Sequence, residues 1–293
     1  MQTYKPVFII GSYRGGTSLV FRLLSENEEL WSLYRESNHL WQKYHRHPLE
    51  TSDTVIIQKN SSGYFRNLAD EKPTTRVDLE RKFFDHHYHY STYKNYFFGY
   101  LGRVRFLRDR LPVLFNLMNI GNYFYKKLFV KYYRFVDKTP PNIYRVDYLK
   151  AVYPDAKFIY LVRNREANIQ SLKKAWTHSE KFQYKYRKYL TQKLTMNIKG
   201  YKGKVWKFFI PLAWQKYLES SIDEVCAYQY DDAHRVARES FAKMDKSQFL
   251  EIKFENLLAE PDKMMQEICD FVEVKYSKKM QDIVKKMPQV NVS

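Results

Sequence analysis

Residues 11–19 combine the residue types that bind an anion through the backbone. A short apolar run at 7–10 leads into a turn that contains Gly15 and Gly16, and a helical pattern begins at Thr17. Glycines let the backbone approach a ligand closely, and the first N–H groups of a helix carry the positive end of its dipole. The segment therefore predicts a cradle for a phosphate-like group, although a Gly-rich turn taken alone also fits a tight connection.

The position of the cation in this loop is unusual. In nucleoside triphosphatases the glycines are followed by Lys and then by a Ser or Thr whose hydroxyl holds magnesium. Here Gly16 is followed by Thr17 and Ser18, and the cation, Arg14, precedes the glycines. This order predicts a phosphate-like donor that is bound without the usual metal arrangement.

Three further groups follow a predicted strand or the first predicted helix. Lys138 comes directly after a strand that ends near Val136. Arg163 ends the strand FIYLV, and Ser171 lies in the next helix, so the two are candidates for holding a second phosphate. Glu36 follows the first helix and its turn and is a candidate general base. Each residue alone also fits a solvated or structural role, whereas together they converge on one edge of the sheet.

Strand and helix patterns alternate along the chain and position these residues. Such alternation predicts a parallel sheet covered by helices on both faces. The stretch from about 78 to 130 predicts helices whose ends the pattern does not define. The predicted strands are 6–10, 132–136, 158–162 and 249–254, and the predicted helices are 17–25, 146–152, 167–176, 214–240 and 261–272.

The composition predicts an anionic partner. The chain of 293 residues has 50 Lys and Arg against 32 Asp and Glu, a formal net charge of +18, and 17% aromatic residues. A nucleotide, a nucleic acid, an acidic glycan or a membrane surface would suit this balance. The two cysteines, Cys226 and Cys269, fall within helical patterns, which favours buried thiols over a disulfide framework or a zinc site.

The sequence contains neither a signal-peptide pattern at its start nor a run of about 18 apolar residues. It also shows no internal repeat and no low-complexity linker. We therefore expect a single domain over residues 1–293 that is cytoplasmic, with peripheral contact at a membrane as an option.

Four segments together resemble the motifs of sulfotransferases that use 3′-phosphoadenosine 5′-phosphosulfate (PAPS), in the branch that includes bacterial and Golgi-type enzymes. Residues 11–19 are similar to that family's 5′-phosphosulfate loop, and DKTP at 137–140 is similar to its next strand-end motif. Residues 158–171 are similar to its 3′-phosphate motif, and 253–261 to its late strand-to-helix segment. The order and spacing of the motifs are more specific than any one of them.

The resemblance runs from about residue 5 to 275, and two insertions, at about 45–130 and 177–210, fall outside it. It implies an α/β fold: a single P-loop-like domain with a central parallel β-sheet flanked by helices, plus helical insertions that shape the acceptor site.

The resemblance also implies roles for the candidate residues. Arg14 and Lys138 would contact the phosphosulfate, while Arg163 and Ser171 would hold the 3′-phosphate that separates PAPS from ordinary adenosine nucleotides. Sulfuryl transfer leaves charge on the departing phosphate oxygen, so cations there stabilise the transition state and no metal is required. The product would be 3′-phosphoadenosine 5′-phosphate (PAP). The backbone N–H groups that would cradle the 5′-phosphate belong to Gly15, Gly16, Thr17 and Ser18.

Glu36 is the predicted catalytic base. An acceptor hydroxyl is a poor nucleophile until its proton is removed, so a carboxylate or an imidazole must lie beside it. Tyrosine-sulfating Golgi enzymes have a catalytic Glu in a similar Glu-Ser/Thr context, but aligning Glu36 with it requires an extra residue here. His39 and the His-rich residues 86–89 are alternatives, and no carboxylate spacing supports a metal site in the latter.

The acceptor is predicted from the insertions. Residues 184–189 and 201–209 alternate aromatic rings with cations, which suits sugar rings, tyrosine or acidic groups, although a solvated basic face has the same composition. A carbohydrate, either a polysaccharide or a glycolipid, is the predicted acceptor, and a protein tyrosine is the alternative. Residues 97–135 are basic and aromatic enough to lie on an anionic membrane.

Two other classes of protein share some of these features. A P-loop nucleotide kinase has the cradle, but it also has a Lys beside the Ser/Thr and an Asp at a strand end, where this chain has Arg163. A basic nucleic-acid-binding module explains the charge and the aromatic residues but not the ordered strand-end motifs. Nucleic acid is therefore not an expected partner.

Overall fold

The secondary structure was determined from a computed structural model that describes residues 2–32, 36–37, 132–178, 196–203, 206–209, 211 and 214–286. The strands are β1 Gln2–Thr3, β2 Val7–Ile10, β3 Leu30–Trp31, β4 Tyr132–Asp137, β5 Lys157–Val162 and β6 Phe249–Lys253. The helices are α1 Thr17–Leu24, α2 Val146–Val152, α3 Arg165–His178, α4 Ile222–Phe241, α5 Phe254–Ala259, α6 Pro261–Phe271 and α7 Lys278–Val284.

The described strands form one parallel sheet. Its hydrogen-bonded order is β1–β4–β2–β5–β6, and β3 also pairs with β4. In register, Phe8 of β2 lies opposite Asp137 of β4, and Ile10 lies opposite Tyr160 of β5. The carboxyl ends of β4, β2 and β5 therefore lie side by side at one edge of the sheet.

The residues of β2, β4 and β5 alternate between two hydrophobic cores, as the buried-strand pattern predicted. On one face, Phe8 packs its ring 5.7 Å from that of Phe135 and 5.6 Å from that of Phe158, beneath α2, α3 and α4. On the other face, Val136 and Ile159 pack beneath α1, α5, α6 and α7. The predicted α/β fold with a central parallel sheet flanked by helices is confirmed.

The connections place a crevice at the end of β2. Helix α1, which follows β2, packs on one face of the sheet, and α2, which joins β4 to β5, packs on the other. Since β4 and β5 lie on opposite sides of β2, the chain changes direction there, and open α/β sheets bind their ligands at such a point.

Most predicted elements lie within two residues of the observed ones, but the helix predicted at 214–240 is wrong at its start. Residues Trp214–Tyr217 form a separate 3-10 helix, and α4 begins only at Ile222. Ser221 and Glu224 form a capping box there, with the Ser221 N–H donating to Glu224 Oε2 at 2.7 Å. The aromatic spacing before Ser221 imitated a continuous helix. The short strands β1 and β3 and the helices α5 and α7 were not predicted.

Candidate active site

The turn between β2 and α1 forms a backbone cradle. The Gly15 N–H donates to the Ser12 carbonyl at 3.1 Å, and α1 begins after Gly16, which has a φ of +91°. No side chain caps the start of α1, and its first turn contains no acidic residue. The N–H groups of this turn and the helix dipole are therefore arranged to receive an anion.

The glycines of the cradle are required by close packing. A Cβ on Gly16 would lie 2.3 Å from the ring of Phe254, the first residue of α5. A Cβ on Gly11 would lie 2.6 Å from Thr17 Cγ2 and 2.8 Å from the Leu161 carbonyl oxygen. The loop is thus held between β5 and α5 with no room for a side chain.

Arg14, Arg163 and Ser171 lie together beside the cradle. Arg14 has an exposed side chain and a left-handed backbone with a φ of +63°. Its Nε donates to Ser171 Oγ at 3.2 Å, and its carbonyl oxygen accepts a hydrogen bond from Arg163 Nη1 at 2.9 Å. The Arg163 side chain therefore supports the strained backbone of Arg14, and two guanidinium groups share the same corner of the site.

Lys138 and Glu36 form an ion pair at the carboxyl end of β4. Lys138 Nζ lies 2.8 Å from Glu36 Oε1. The Lys138 side chain is buried, with 8% exposed, whereas 27% of the Glu36 side chain is exposed. The carboxylate is thus accessible from solvent while the ammonium group is enclosed.

The structure adds residues that the sequence analysis did not single out. The Asn168 amide, oriented to satisfy both of its ends, accepts from Ser12 Oγ at 2.9 Å and donates to the Tyr13 carbonyl at 3.2 Å. Asn168 is fully buried, so it fixes the loop from behind. Asn168 lies within the 158–171 motif, but its position in the sequence does not indicate a contact with Ser12 and Tyr13.

The turn after β5 is held by two other elements. The Tyr230 hydroxyl on α4 donates to the Arg163 carbonyl at 2.7 Å, and burial raises the pKa of Tyr230. The Arg163 guanidinium lies over the Phe254 ring at 5.3 Å, and the Asn164 N–H donates to Glu255 Oε1 at 2.9 Å. Arg163 is therefore fixed at both its backbone and its side chain.

Residues 206–209 are buried and offer no accessible acceptor surface, which corrects that part of the prediction for 201–209. Trp206, Phe208 and Phe209 are buried, and the rings of Phe208 and Phe209 lie 5.1 and 4.6 Å from that of Tyr13. Lys207 is also buried, and its Nζ donates to the Trp176 carbonyl at 2.6 Å at the end of α3. These rings complete the core, and the ammonium group stabilises a helix C-terminus.

Other predictions fall partly or wholly outside the described residues. His39, the residues 86–89 and the segment 184–189 lie outside them, as does most of 97–135. At the end of that last stretch, in β4, Tyr133 and Phe135 are buried, whereas Tyr132 is exposed.

The described part of the chain also bears on the metal, membrane and cysteine predictions. There, no cluster of three or more His, Cys, Asp or Glu side chains could hold a metal ion. Within the same ranges, no helix is both long and apolar enough to cross a bilayer. Cys226 and Cys269 are free and buried, as predicted.

Comparison with solved structures finds similar folds at low identity. The chain is similar to the sulfotransferase STF1 from Mycobacterium tuberculosis, with 15% identity, a TM-score of 0.48, and coverage of 97% of this chain and 72% of that one. It is also similar to the sulfotransferase STF9 from Mycobacterium avium, with 14% identity, a TM-score of 0.48, and coverage of 100% of this chain and 71% of that one. For the sulfotransferase domain from the curacin biosynthetic pathway, the identity is 13% and the TM-score is 0.47, with coverage of 96% of this chain and 77% of that one.

Comparison at the sequence level is more specific. No curated protein matches the chain. A family model, that of the sulfotransferase family, matches residues 6–204 and 196–278, which together include the cradle and every candidate site residue. The chain belongs to the sulfotransferase family.

Proposed function

We propose that this protein transfers a sulfuryl group from PAPS to a hydroxyl group of a carbohydrate, either a polysaccharide or a glycolipid. One observation carries the proposal: the uncapped start of α1, the cations of Arg14, Lys138 and Arg163, and the Glu36 carboxylate all lie at one edge of the sheet. Sulfotransferases generally use PAPS as their donor, and these groups match its anionic parts.

The cradle residues fit the donor's phosphates. Of the backbone N–H groups predicted from Gly15 to Ser18, those of Gly16, Thr17 and Ser18 would bind the 5′-phosphate, because the Gly15 N–H already donates to the Ser12 carbonyl at 3.1 Å. Arg163 and Ser171 would bind the 3′-phosphate, since a guanidinium group offers a planar fork and a hydroxyl adds a neutral donor.

Arg14 and Lys138 would act on the transferring group. PAPS supplies an activated sulfuryl group whose departure leaves charge on the 5′-phosphate. Arg14 presents an exposed guanidinium beside the cradle, and Lys138 presents an enclosed ammonium group from the neighbouring strand. Fixed cations beside the departing 5′-phosphate oxygen stabilise the transition state more than the ground state, so we propose that no metal is needed.

Glu36 would accept the proton of the acceptor hydroxyl. Its contact with Lys138 at 2.8 Å orients the carboxylate, and its partial exposure leaves it accessible to an acceptor that enters from solvent. Lys138 would then contact both the donor and the base, and the acceptor oxygen would bind between Glu36 and the sulfuryl group, as in-line transfer requires.

The acceptor is proposed from the insertions. Much of the excess positive charge lies in residues 38–131 and 179–195, which are also rich in Tyr and Phe. Cations bind acidic groups and flat rings pack on sugar faces, so these segments support a carbohydrate acceptor. That the chain is a single domain whose insertions shape the acceptor site, and that it contacts a membrane, stay predictions.

Calorimetry with PAP and AMP tests the donor. We expect the wild type to prefer PAP by about 10- to 100-fold, because the two differ by the 3′-phosphate and a charge-assisted contact contributes roughly 1.5–3 kcal/mol. Arg163→Ala should lose most of this preference. Arg165→Ala is the matched control, because its guanidinium is already paired with Asp231 at 2.7 Å. A wild type that binds AMP as tightly as PAP would exclude the proposed donor.

Transfer of label from PAPS tests the acceptor. The panel contains acidic and neutral polysaccharides, vesicles with a glycolipid, and tyrosine-containing peptides. We expect label on a carbohydrate. Label on the peptides alone would replace the carbohydrate proposal with protein-tyrosine sulfation.

A further inference from the structure

Ser37, the residue after Glu36, is joined to the end of β4 by buried hydrogen bonds. Its N–H donates to Thr139 Oγ1 at 3.0 Å, and its hydroxyl donates to Asp137 Oδ1. Ser37 is fully buried, and Thr139 is 1% exposed. The chain around Glu36 is thus attached to β4 at a point that solvent does not reach.

Asp137 is the centre of this buried network. Its Oδ1 accepts from Ser37 and also from the Thr139 hydroxyl at 3.2 Å, and its Oδ2 accepts from Asn142 Nδ2 at 2.8 Å. The Asn142 side chain in turn accepts from Arg145 Nη1 at 2.9 Å. A buried carboxylate without hydrogen-bond donors destabilises the folded protein strongly, so this network resists rearrangement.

The network lies behind the ion pair rather than in it. Lys138 pairs with Glu36, whereas Asp137 and Thr139, on either side of Lys138, both hydrogen bond to Ser37, the residue after Glu36. Two adjacent sets of contacts therefore join the segment at 36–37 to the end of β4.

We infer that Ser37 and Asp137 are positioning residues for Glu36. They touch neither donor nor acceptor, and they fix the backbone that carries the carboxylate relative to the strand that carries Lys138. The inference rests on the proposed role of Glu36 as the base. A displacement of about 1 Å in a reacting group can cost about 100-fold in rate, so loss of the network lowers kcat. Donor affinity is retained, because Lys138 directly follows β4 and the cradle joins β2 to α1, so neither is carried by the segment at 36–37.

A double-mutant cycle tests the inference. The variants are Ser37→Ala, Glu36→Gln and the double variant. For each, we measure kcat with labelled PAPS and the acceptor that the panel above identifies. The Kd for PAP is measured for the same variants. We expect Ser37→Ala to lower kcat by about 10- to 100-fold while the Kd for PAP changes by less than about threefold. In the Glu36→Gln background, Ser37→Ala should lower kcat by less than about twofold, because there is no base left to position.

Two controls separate positioning from loss of structure. Ser32→Ala removes another buried serine hydroxyl, one with no hydrogen-bond partner among the described residues, and should leave kcat unchanged. Thr139→Val keeps the shape of the side chain but removes the acceptor of the Ser37 N–H, so it should lower kcat as Ser37→Ala does. Thr139→Ser keeps that acceptor and should retain most of kcat.

Several outcomes would overturn the inference. An unchanged kcat in Ser37→Ala, an unchanged kcat in Glu36→Gln, or an equal effect of Ser37→Ala with and without Glu36 would each do so. So would a loss of PAP affinity as large as the loss of kcat. A wild type that does not distinguish PAP from AMP overturns the proposed function instead, so the two failures are distinguishable.

Discussion

Replacement of Gly16 by Ala tests whether the turn before α1 holds the donor phosphate. Gly16 has a φ of +91°, a backbone conformation that costs an L-residue about 1–2 kcal/mol. Its new Cβ would also lie 2.3 Å from the Phe254 ring, and overpacking of this kind costs about 1–3 kcal/mol. The free energy of unfolding should therefore fall by roughly 2–5 kcal/mol.

Gly200→Ala is the matched control. Gly200 has a similar φ of +86°, and its Cβ would meet Ile222 Cγ2 at 3.1 Å, a milder contact. It packs at the start of α4 and not on the cradle. Gly200→Ala should therefore lower stability by about 1–2 kcal/mol, or Tm by roughly 2–8 °C, without affecting donor binding.

Titration calorimetry with PAP, below the Tm of both variants, separates the two effects. We expect at least a tenfold weaker Kd in Gly16→Ala, equivalent to about 1.4 kcal/mol, because the ring of Phe254 and the loop must move apart. Gly200→Ala should bind like the wild type. If Gly16→Ala also binds PAP like the wild type while its Tm falls, the cradle does not hold the donor phosphate.

Three further predictions concern buried titratable groups. Burial lowers the pKa of His234 from 6.5 to about 4, so His234 binds a proton in the unfolded chain before it does so in the folded protein as pH falls. The free energy of unfolding should therefore fall by about 2–3 kcal/mol between pH 6.5 and pH 4. Urea unfolding of His234→Gln should show a smaller fall over this range, and a pH dependence identical to that of the wild type would contradict the prediction. Lys207→Met should lower the free energy of unfolding by about 1–2 kcal/mol, because it removes the ammonium group that binds the carbonyls at the end of α3. An unchanged urea unfolding curve would refute that role. Burial raises the pKa of the Cys226 and Cys269 thiols to about 12, so iodoacetamide at pH 8 should label them only in denaturant, and rapid labelling of the native protein would show that they are accessible.

The fold could be predicted from local pattern, because buried parallel strands have a distinctive sequence. The apolar runs that end at Ile10 and Val162 became β2 and β5, and the more polar strand predicted at 249–254 became β6, each within a residue or two of its predicted bounds. The strand-end position of Arg163 followed from β5, and that of Lys138 followed from the strand predicted at 132–136, which is β4. The family was also indicated by the order of the motifs, and the family model confirmed it.

What the sequence could not show depends on contacts between distant residues. Ser37 meets Asp137, which is 100 positions away, and no local pattern links them. Residues 206–209 have the mixed aromatic and basic composition of a binding surface, yet tertiary packing buries them. The start of α4 has a local signal in the sequence, the Ser221–Glu224 capping box, but the aromatic spacing before Ser221 imitates a continuous helix. The roles of Glu36, Arg14 and the other site residues stay predictions.

The packing of residues 206–209 on Tyr13 has a thermodynamic consequence for the proposed binding of donor and acceptor. These residues continue the insertion at 177–210, and their rings support the residue beside Arg14. Free-energy coupling between two sites is reciprocal, so an acceptor that stabilises this packing tightens donor binding by the same factor by which the donor tightens acceptor binding. A tenfold coupling corresponds to about 1.4 kcal/mol, comparable to a single charge-assisted hydrogen bond. Under the proposed function, the affinities for donor and acceptor would then be coupled through this packing.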